Sequence, residues 1–261
     1  MDSGHINTTS LRFGYGESPV LRGLDLAFEP GLLHGIVGPN GCGKSTLLGL
    51  LSGHLAPNSG QAALDSVPVG EYPASRLARR LALVEQVPVA NFPFTVFETV
   101  LMGRHPHIPR FARPLPTDLE MTERALTVMD LGHLRDRVLA DLSGGERQRA
   151  VVARGLAQDT PVLLLDEPTS SMDIRHGLAT MTELRRLARE QGRNVITVLH
   201  DLNLALRFCD RVIILADGTA HAQGTAEETL TPANIEAIFR VRTTVLDTEA
   251  GPAIIYSQEA S

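Results

Sequence analysis

A chain of 261 residues is long enough to bury a full core as one α/β domain, with room for an inserted subdomain. Its formal net charge of −6 argues against nucleic acid as a bulk electrostatic partner, and the two cysteines, Cys42 and Cys209, form no disulfide framework. No apolar run approaches the roughly 18 residues of a membrane helix and no signal pattern precedes the first strand, so the expectation is a protein of the reducing cytosol, and any membrane work must be done with partner proteins.

Taken in chain order, Leu11–Tyr15 and Val20–Phe28 read as strands, the second from its alternation and the Glu29-Pro30-Gly31 turn that closes it. Leu32–Val37 reads as a buried strand. Directly after it, Gly38-Pro39-Asn40-Gly41-Cys42-Gly43-Lys44-Ser45-Thr46 fits the phosphate-binding pattern GxxxxGK[ST]. A Gly-rich turn opening a helix would look similar. Here, however, Thr46–Leu51 reads as a helix, which supplies the strand–loop–helix context such a loop needs. Lys44 is also the only lysine among the 24 Lys and Arg residues. A compact ammonium can reach the β- and γ-phosphates inside a ring of backbone N–H groups, where a planar guanidinium is too wide. Ser45 would place its hydroxyl on Mg²⁺, and Cys42 reads either as a small residue that fits or as an oxidation-sensitive thiol.

Arg76–Leu81 suits a short helix and Leu81–Val84 a buried strand that ends at Glu85-Gln86. From Val87 to Asp118 prolines punctuate the chain. Within that stretch Thr95-Val96-Phe97-Glu98 is a capping box opening a helix to about Met102. A second helix, Leu119 to about Leu131, places Met121, Ala125 and Val128 on one face as core packing. His105 and His107 could bind a metal, but no acid or cysteine stands nearby. Ser143 and Glu146 form a capping box for a helix running to about Gln158. A cap does not require Gly144 and Gly145, whose bare N–H groups suit a phosphate approaching from another molecule; both readings can hold at once.

Val162–Leu165 is an apolar strand that ends in Asp166 and Glu167. Acids often follow strands because strand ends are exposed. Beside a phosphate loop, though, Asp166 can hold Mg²⁺ through water and Glu167 can act as general base. Strand Val195–Leu199 likewise ends in His200, either a satisfied strand-end histidine or a hydrogen-bond partner for a γ-phosphate or the attacking water. Further helices fit Leu178–Glu190, Leu202–Cys209 and the segment from Thr231-Pro232. Val212–Leu215 is a strand, Asp217-Gly218 a hairpin signal, and two strands flank Gly251-Pro252. This predicts an α/β fold, a parallel sheet wrapped by helices with a mostly helical insertion between about Val87 and Gln158. Parallel strands deliver their carboxyl ends to one crevice, so Lys44, Asp166, Glu167 and His200 should converge there.

In kind and order these motifs resemble the ATP-binding subunit of an ATP-binding-cassette (ABC) transporter, from Tyr15 to about Gly224. The phosphate loop, a Q-loop Gln86, the signature Leu142–Gln148, the acidic strand end, a D-loop Ser170–Asp173 and a switch His200 follow one another as in that family. Tyr15 matches its adenine-stacking aromatic residue. The D-loop reads Ser170-Ser171-Met172-Asp173 where Ser-Ala-Leu-Asp is commoner, with Asp173 retained. The resemblance implies a P-loop NTPase fold: a RecA-like core, an N-terminal antiparallel β-subdomain, a helical signature subdomain at about 87–158 and a helix-and-hairpin tail at about 225–261, all in one domain. It implies ATP and Mg²⁺ as cofactors, the metal held by Ser45, Gln86 and Asp166. Lys44, Gln86, Glu167 and His200 would be catalytic. Residues Gly38 to Thr46 would bind the nucleotide of their own chain, and Ser143, Gly144, Gly145, Gln148 and Asp173 would contribute to nucleotide binding, Ser143 and Gly145 across a head-to-tail homodimer that closes on two ATP.

Integral membrane permease subunits, indirectly a solute-binding protein, and a peripheral place on the cytoplasmic face of the inner membrane follow from the same resemblance. The segment Phe92–His107 is similar to importers of iron–siderophore complexes, haem and cobalamin. Repair members of the family carry a long coiled-coil insertion, translation members carry two cassettes, and exporters often fuse membrane helices. None of these features is present here, so nucleic acid is not an expected partner.

Overall fold

A computed structural model of the chain describes residues 4–85, 93–249 and 251–257. Strands β1 (Ile6–Tyr15) and β2 (Ser18–Phe28) form an antiparallel hairpin longer than its apolar alternation suggests. Next come β3 (Leu33–Val37), α1 (Lys44–Leu51), β4 (Ser59–Leu64), the two-residue β5 (Val67–Pro68), α2 (Ala74–Leu77) and β6 (Leu81–Val84). β4 pairs with β1 and completes a four-stranded sheet in the order β2-β1-β4-β5. Its first half, Ser59-Gly60-Gln61, is exposed and only Ala62, Ala63 and Leu64 are buried, so no apolar alternation announces it in the sequence.

Three helices separate β6 from β7 (Val162–Asp166): α3 (Val96–Leu101), α4 (Pro116–Val128) and α5 (Gly144–Ala157). Both expected capping boxes are present. Thr95 and Glu98 close the start of α3, and Ser143 and Glu146 that of α5. α4 begins at Pro116 rather than Leu119, because proline presets the helical φ and Asp118 Oδ2 accepts the Leu115 N–H at 2.9 Å. Its buried stripe is Asp118, Thr122, Ala125 and Leu126, so of the residues expected to pack, Met121, Ala125 and Val128, only Ala125 is fully buried. A buried ion pair turns the helix this way. Arg104 Nε donates to Asp118 Oδ1 at 3.0 Å while its NH1 donates to the Ala157 carbonyl at 2.8 Å, joining three segments. His107 Nε2 donates to the Gln158 carbonyl at 2.8 Å, and no metal-binding group of three His, Cys, Asp or Glu occurs among the described residues.

The chain then alternates α6 (Ile174–Gln191), β8 (Asn194–Val198), α7 (Leu202–Phe208), β9 (Arg211–Ala216) and β10 (Thr219–Thr225), followed by α8 (Ala226–Thr229), α9 (Pro232–Phe239) and a closing hairpin, β11 (Arg242–Thr248) with β12 (Gly251–Ser257). α6 starts at Ile174, not Leu178, because Asp173 caps it by accepting the His176 N–H. The closing hairpin is fastened to α7. Asn203 accepts the Ile254 N–H at 2.7 Å and donates to its carbonyl at 3.2 Å.

The central sheet runs β10-β9-β3-β8-β7-β6, parallel except for the β9–β10 hairpin at Asp217-Gly218. Its two faces feed two cores. Val37, Leu165 and Val195 face the helices of the β6–β7 segment and α6, whereas Ile36, Leu164 and Ile196 face α1 and the N-terminal sheet.

Removing one partner of a buried ion pair leaves the other charge uncompensated. Arg104→Ala should therefore lower the unfolding free energy by about 3 kcal/mol in urea titration, and replacing Arg104 and Asp118 together by apolar residues should cost less.

Candidate nucleotide site

Register places the site. Gly35 on β3 and Leu165 on β7 both stand opposite Thr197 on β8, so the three strands end level. The loop after β3, the Asp166-Glu167 pair after β7 and His200 after β8 therefore leave the sheet along one edge.

The loop after β3 can take only glycine at its first position, since a Cβ on Gly38 would stand 2.1 Å from the Leu215 carbonyl oxygen of β9. Gly43, at φ 104°, is the N-cap of α1; no side chain caps that end and no acid lies in the first turn. The amides that open α1 thus keep their donors for an anion. Lys44 is 6 % exposed, and its Nζ donates to the carbonyls of Gly38 at 2.8 Å and Pro39 at 2.9 Å, which folds the ammonium into the loop. Burial pushes the Cys42 thiol up, Lys44 pulling weakly the other way, so the group stays a thiol rather than a reactive thiolate.

Burial raises the Asp166 carboxyl above the ordinary aspartate range; the Ser45 side chain beside it opposes that rise and neighbouring Glu167 adds to it. Asp166 Oδ1 is buried and has no hydrogen-bond partner among the described residues. An unpartnered carboxylate oxygen beside a hydroxyl, both close to Lys44, is an oxygen donor set that suits a small divalent cation completed by water and phosphate.

Glu167 adopts a left-handed backbone, φ 49°, which turns its side chain away from the course of β7. Its N–H bonds to the Val198 carbonyl at 3.2 Å and its Oε1 meets His200 Nε2. A carboxylate and an imidazole are thus already joined at the crevice. Both line a cleft of about 310 Å³ shared with Ser170, Asp173 and Asp201.

Lys44 with its loop, Ser45, Asp166, Glu167 and His200 leave one sheet edge, and Asp173 lines the cleft beside Glu167 and His200. Tyr15, at the end of β1, is 60 % exposed, and its ring stands perpendicular to that of Phe13 with centroids 5.0 Å apart. Ser143 is exposed and its hydroxyl donates to Glu146 Oε2 at 2.7 Å. Gly145 is required by its own chain as well: a Cβ there would stand 2.8 Å from the Ser171 carbonyl oxygen. Gln148 is buried, its amide 3.5 Å from the Glu167 carbonyl, so it faces the interior of its own subunit. Asp173 caps α6, and Gln86 lies outside the described residues. Sequence reasoning missed Arg22 and Arg240, which line a second cleft of about 540 Å³ with Pro39, Asn40 and Gly41; the chain brings them there from β2 and the end of α9, and nothing local marks them.

The family model described as ABC transporter matches residues 21–170, more than half of the chain. The protein belongs to the ABC transporter family. This cassette is 43 % identical over 241 residues to the hemin import ATP-binding protein HmuV of Pseudomonas entomophila (strain L48), covering 90 % of this chain and 92 % of that protein. It is 40 % identical to the ferric enterobactin transport ATP-binding protein FepC of Escherichia coli (strain K12), covering 91 % and 88 %. It is also 40 % identical to the cobalamin import ATP-binding protein BtuD of Halobacterium salinarum (strain ATCC 29341 / DSM 671 / R1), covering 92 % of this chain and 60 % of that one. Among solved structures, a chain of an inward-facing ABC transporter described as of metal-chelate type superposes with a TM-score of 0.83 at 29 % identity, over 97 % of both chains. A dimeric ATP-binding cassette holding ADP and Pi after hydrolysis superposes at 0.73 with 27 % identity, over 85 % of this chain and 98 % of that one. The cassette is an ABC ATPase with the P-loop NTPase fold.

Because the Lys44 ammonium lies between two loop carbonyls, a forked guanidinium does not fit the same space. Lys44→Arg should keep the cassette folded by circular dichroism yet weaken binding of a fluorescent ATP analogue by roughly tenfold or more.

Proposed function

We propose that this cassette is the ATP-hydrolysing subunit of an importer that energises uptake of an iron chelate, haem or cobalamin through permease partners. The reading rests above all on one observation: a buried lysine in a glycine loop, a hydroxyl–carboxylate pair and a Glu–His pair share one sheet edge. The relatives' names supply the cargo class, and the expected import pattern at Phe92–His107 agrees with them.

Lys44 and the amides opening α1 would hold the β- and γ-phosphates, and Tyr15 would stack on the adenine. Ser45, Asp166 and Gln86 would hold Mg²⁺, which when bound would neutralise phosphate charge. Glu167 takes a proton from the attacking water while His200 orients its carboxylate. Two copies pair head to tail, and the Ser143 hydroxyl and Gly145 N–H of each act on the nucleotide of the other. Asp173 stands at the same junction, and Gln148 supports it from within its own subunit. Ser143 can turn from Glu146 to a phosphate by rotating one hydroxyl.

Within one ATPase domain, α3 to α5 would form the inserted signature subdomain, and α9 with the closing hairpin the tail. No helix among the described residues is long and apolar enough to cross a membrane. The proposed place is therefore peripheral, on the cytoplasmic face of the inner membrane beneath the permease, with a solute-binding protein delivering cargo on the far side.

Glu167→Gln should slow ATP hydrolysis by roughly 10²–10⁴-fold while an ATP-bound dimer persists in size-exclusion chromatography. Wild-type turnover in that variant would sink the assignment. Purified with ATP from detergent-solubilised membranes, the same variant should bring down a polytopic permease; only soluble or ribosomal partners would remove transport from its role.

A further inference from the structure

Outside the crevice, an ionic chain crosses from the signature helix to the D-loop. Arg149 on α5 is buried, and its NH1 donates to the carbonyls of Met129 and Asp130, each at 3.0 Å, and lies 3.9 Å from Asp130 Oδ2. Asp130, just past the end of α4, has a left-handed backbone with φ 54°. Its Oδ2 stands 3.8 Å from Nε2 of His176, in the first turn of α6. The other ring nitrogen, Nδ1, lies 2.9 Å from both carboxylate oxygens of Asp173, which also accepts the His176 N–H. These bonds from His176, the backbone one foremost, hold the Asp173 carboxyl below its ordinary range.

The D-loop is therefore gripped twice by the helical segment. One grip is direct, where Gly145 lets the Ser171 carbonyl approach the start of α5. The other runs through an imidazole between two carboxylates. Ser170 and Asp173 share a cleft with Glu167 and His200, so what fixes the loop also fixes one wall of the hydrolytic crevice.

We propose that His176 is a positioning residue that ties the D-loop to the base of the signature helix through Asp130, so that the two move as one unit. As an imidazolium the ring donates from Nδ1 to Asp173 and turns its Nε2–H toward Asp130 Oδ2 at 3.8 Å, a charge attraction that spans a gap neither carboxylate crosses alone. Rotation of α4 and α5 relative to the sheet is then transmitted to Asp173 and from there to the wall beside Glu167. The charged groups facing the ring are Asp173 at the start of α6, Asp130 after α4 and Arg149 on α5.

The test compares His176→Ala, Asp130→Asn and the double variant with the full-length wild type. Asparagine tolerates the left-handed backbone at position 130, so that variant removes the charge and keeps the turn. Hydrogen–deuterium exchange without nucleotide should quicken across residues 169–173 in both single variants. ATPase kcat should fall by roughly tenfold while KM for ATP stays within about twofold, the mark of a displaced wall rather than a lost binding site. The double variant should be no slower than the slower single, as for two residues acting through one contact. Unchanged exchange and kcat in Asp130→Asn, or losses that multiply in the double variant, would overturn the proposal. Should His176→Ala fail to fold, the exchange and kcat of Asp130→Asn decide alone. The inference rests on reading the crevice as hydrolytic, and the wild-type rate in the same assay tests that reading separately, since the exchange measurement does not depend on turnover.

Discussion

The parallel pairing of β3, β8 and β7 sets the height from which every reactive residue departs. Hydrogen bonds hold Gly35, Thr197 and Leu165 side by side, and all residues of β3 and β8 are buried. A slip of one residue in any of these strands would exchange the side chains facing the two cores, which an apolar strand buried on both faces resists through packing rather than through polarity. Polar groups can then emerge only where the strands stop. Lys44, Asp166, Glu167 and His200 are those groups, and their meeting follows from where burial ends.

Around this edge the molecule separates rigid from adjustable contacts. The phosphate loop is locked by the Leu215 carbonyl on one side and by the lysine's own bonds on the other. The helical segment is instead held to the sheet by separate polar links, among them Gln148 to the Glu167 carbonyl and Gln158 to the carbonyls of Ala78 and Leu81. Such links can rotate without breaking a ladder of strand hydrogen bonds. In the head-to-tail pairing proposed above, the nucleotide's own loop would stay fixed while the helical segment that reaches across could swing.

What the sequence made legible follows the same division. The phosphate loop, the acidic end of β7, the capping boxes at Thr95 and Ser143 and the Asp217-Gly218 hairpin each depend on residues a few positions apart, and each could be read from pattern. β4 could not, because its pairing with β1 stabilises a polar stretch that has no alternation of its own. The buried face of α4 does not follow its apolar spacing, because an aspartate lies inside it and Arg104 comes from another segment to pair with it. The start of α6 lies four residues before its apolar pattern begins, because Asp173 caps the helix there. The contact between His176 and Asp130 joins the first turn of α6 to the turn after α4, and no spacing rule reaches that far.

The replacement of lysine by arginine at every other cationic position has a practical consequence. Lys44 is the only lysine in the chain, and it is buried in the phosphate loop. The surface therefore offers no side-chain primary amine for acylation, amine cross-linking or attachment of a modifier through an isopeptide bond. A reagent that acylates a lysine of this protein has necessarily entered the phosphate loop, and its rate gives a label-free report of whether that loop is open or filled.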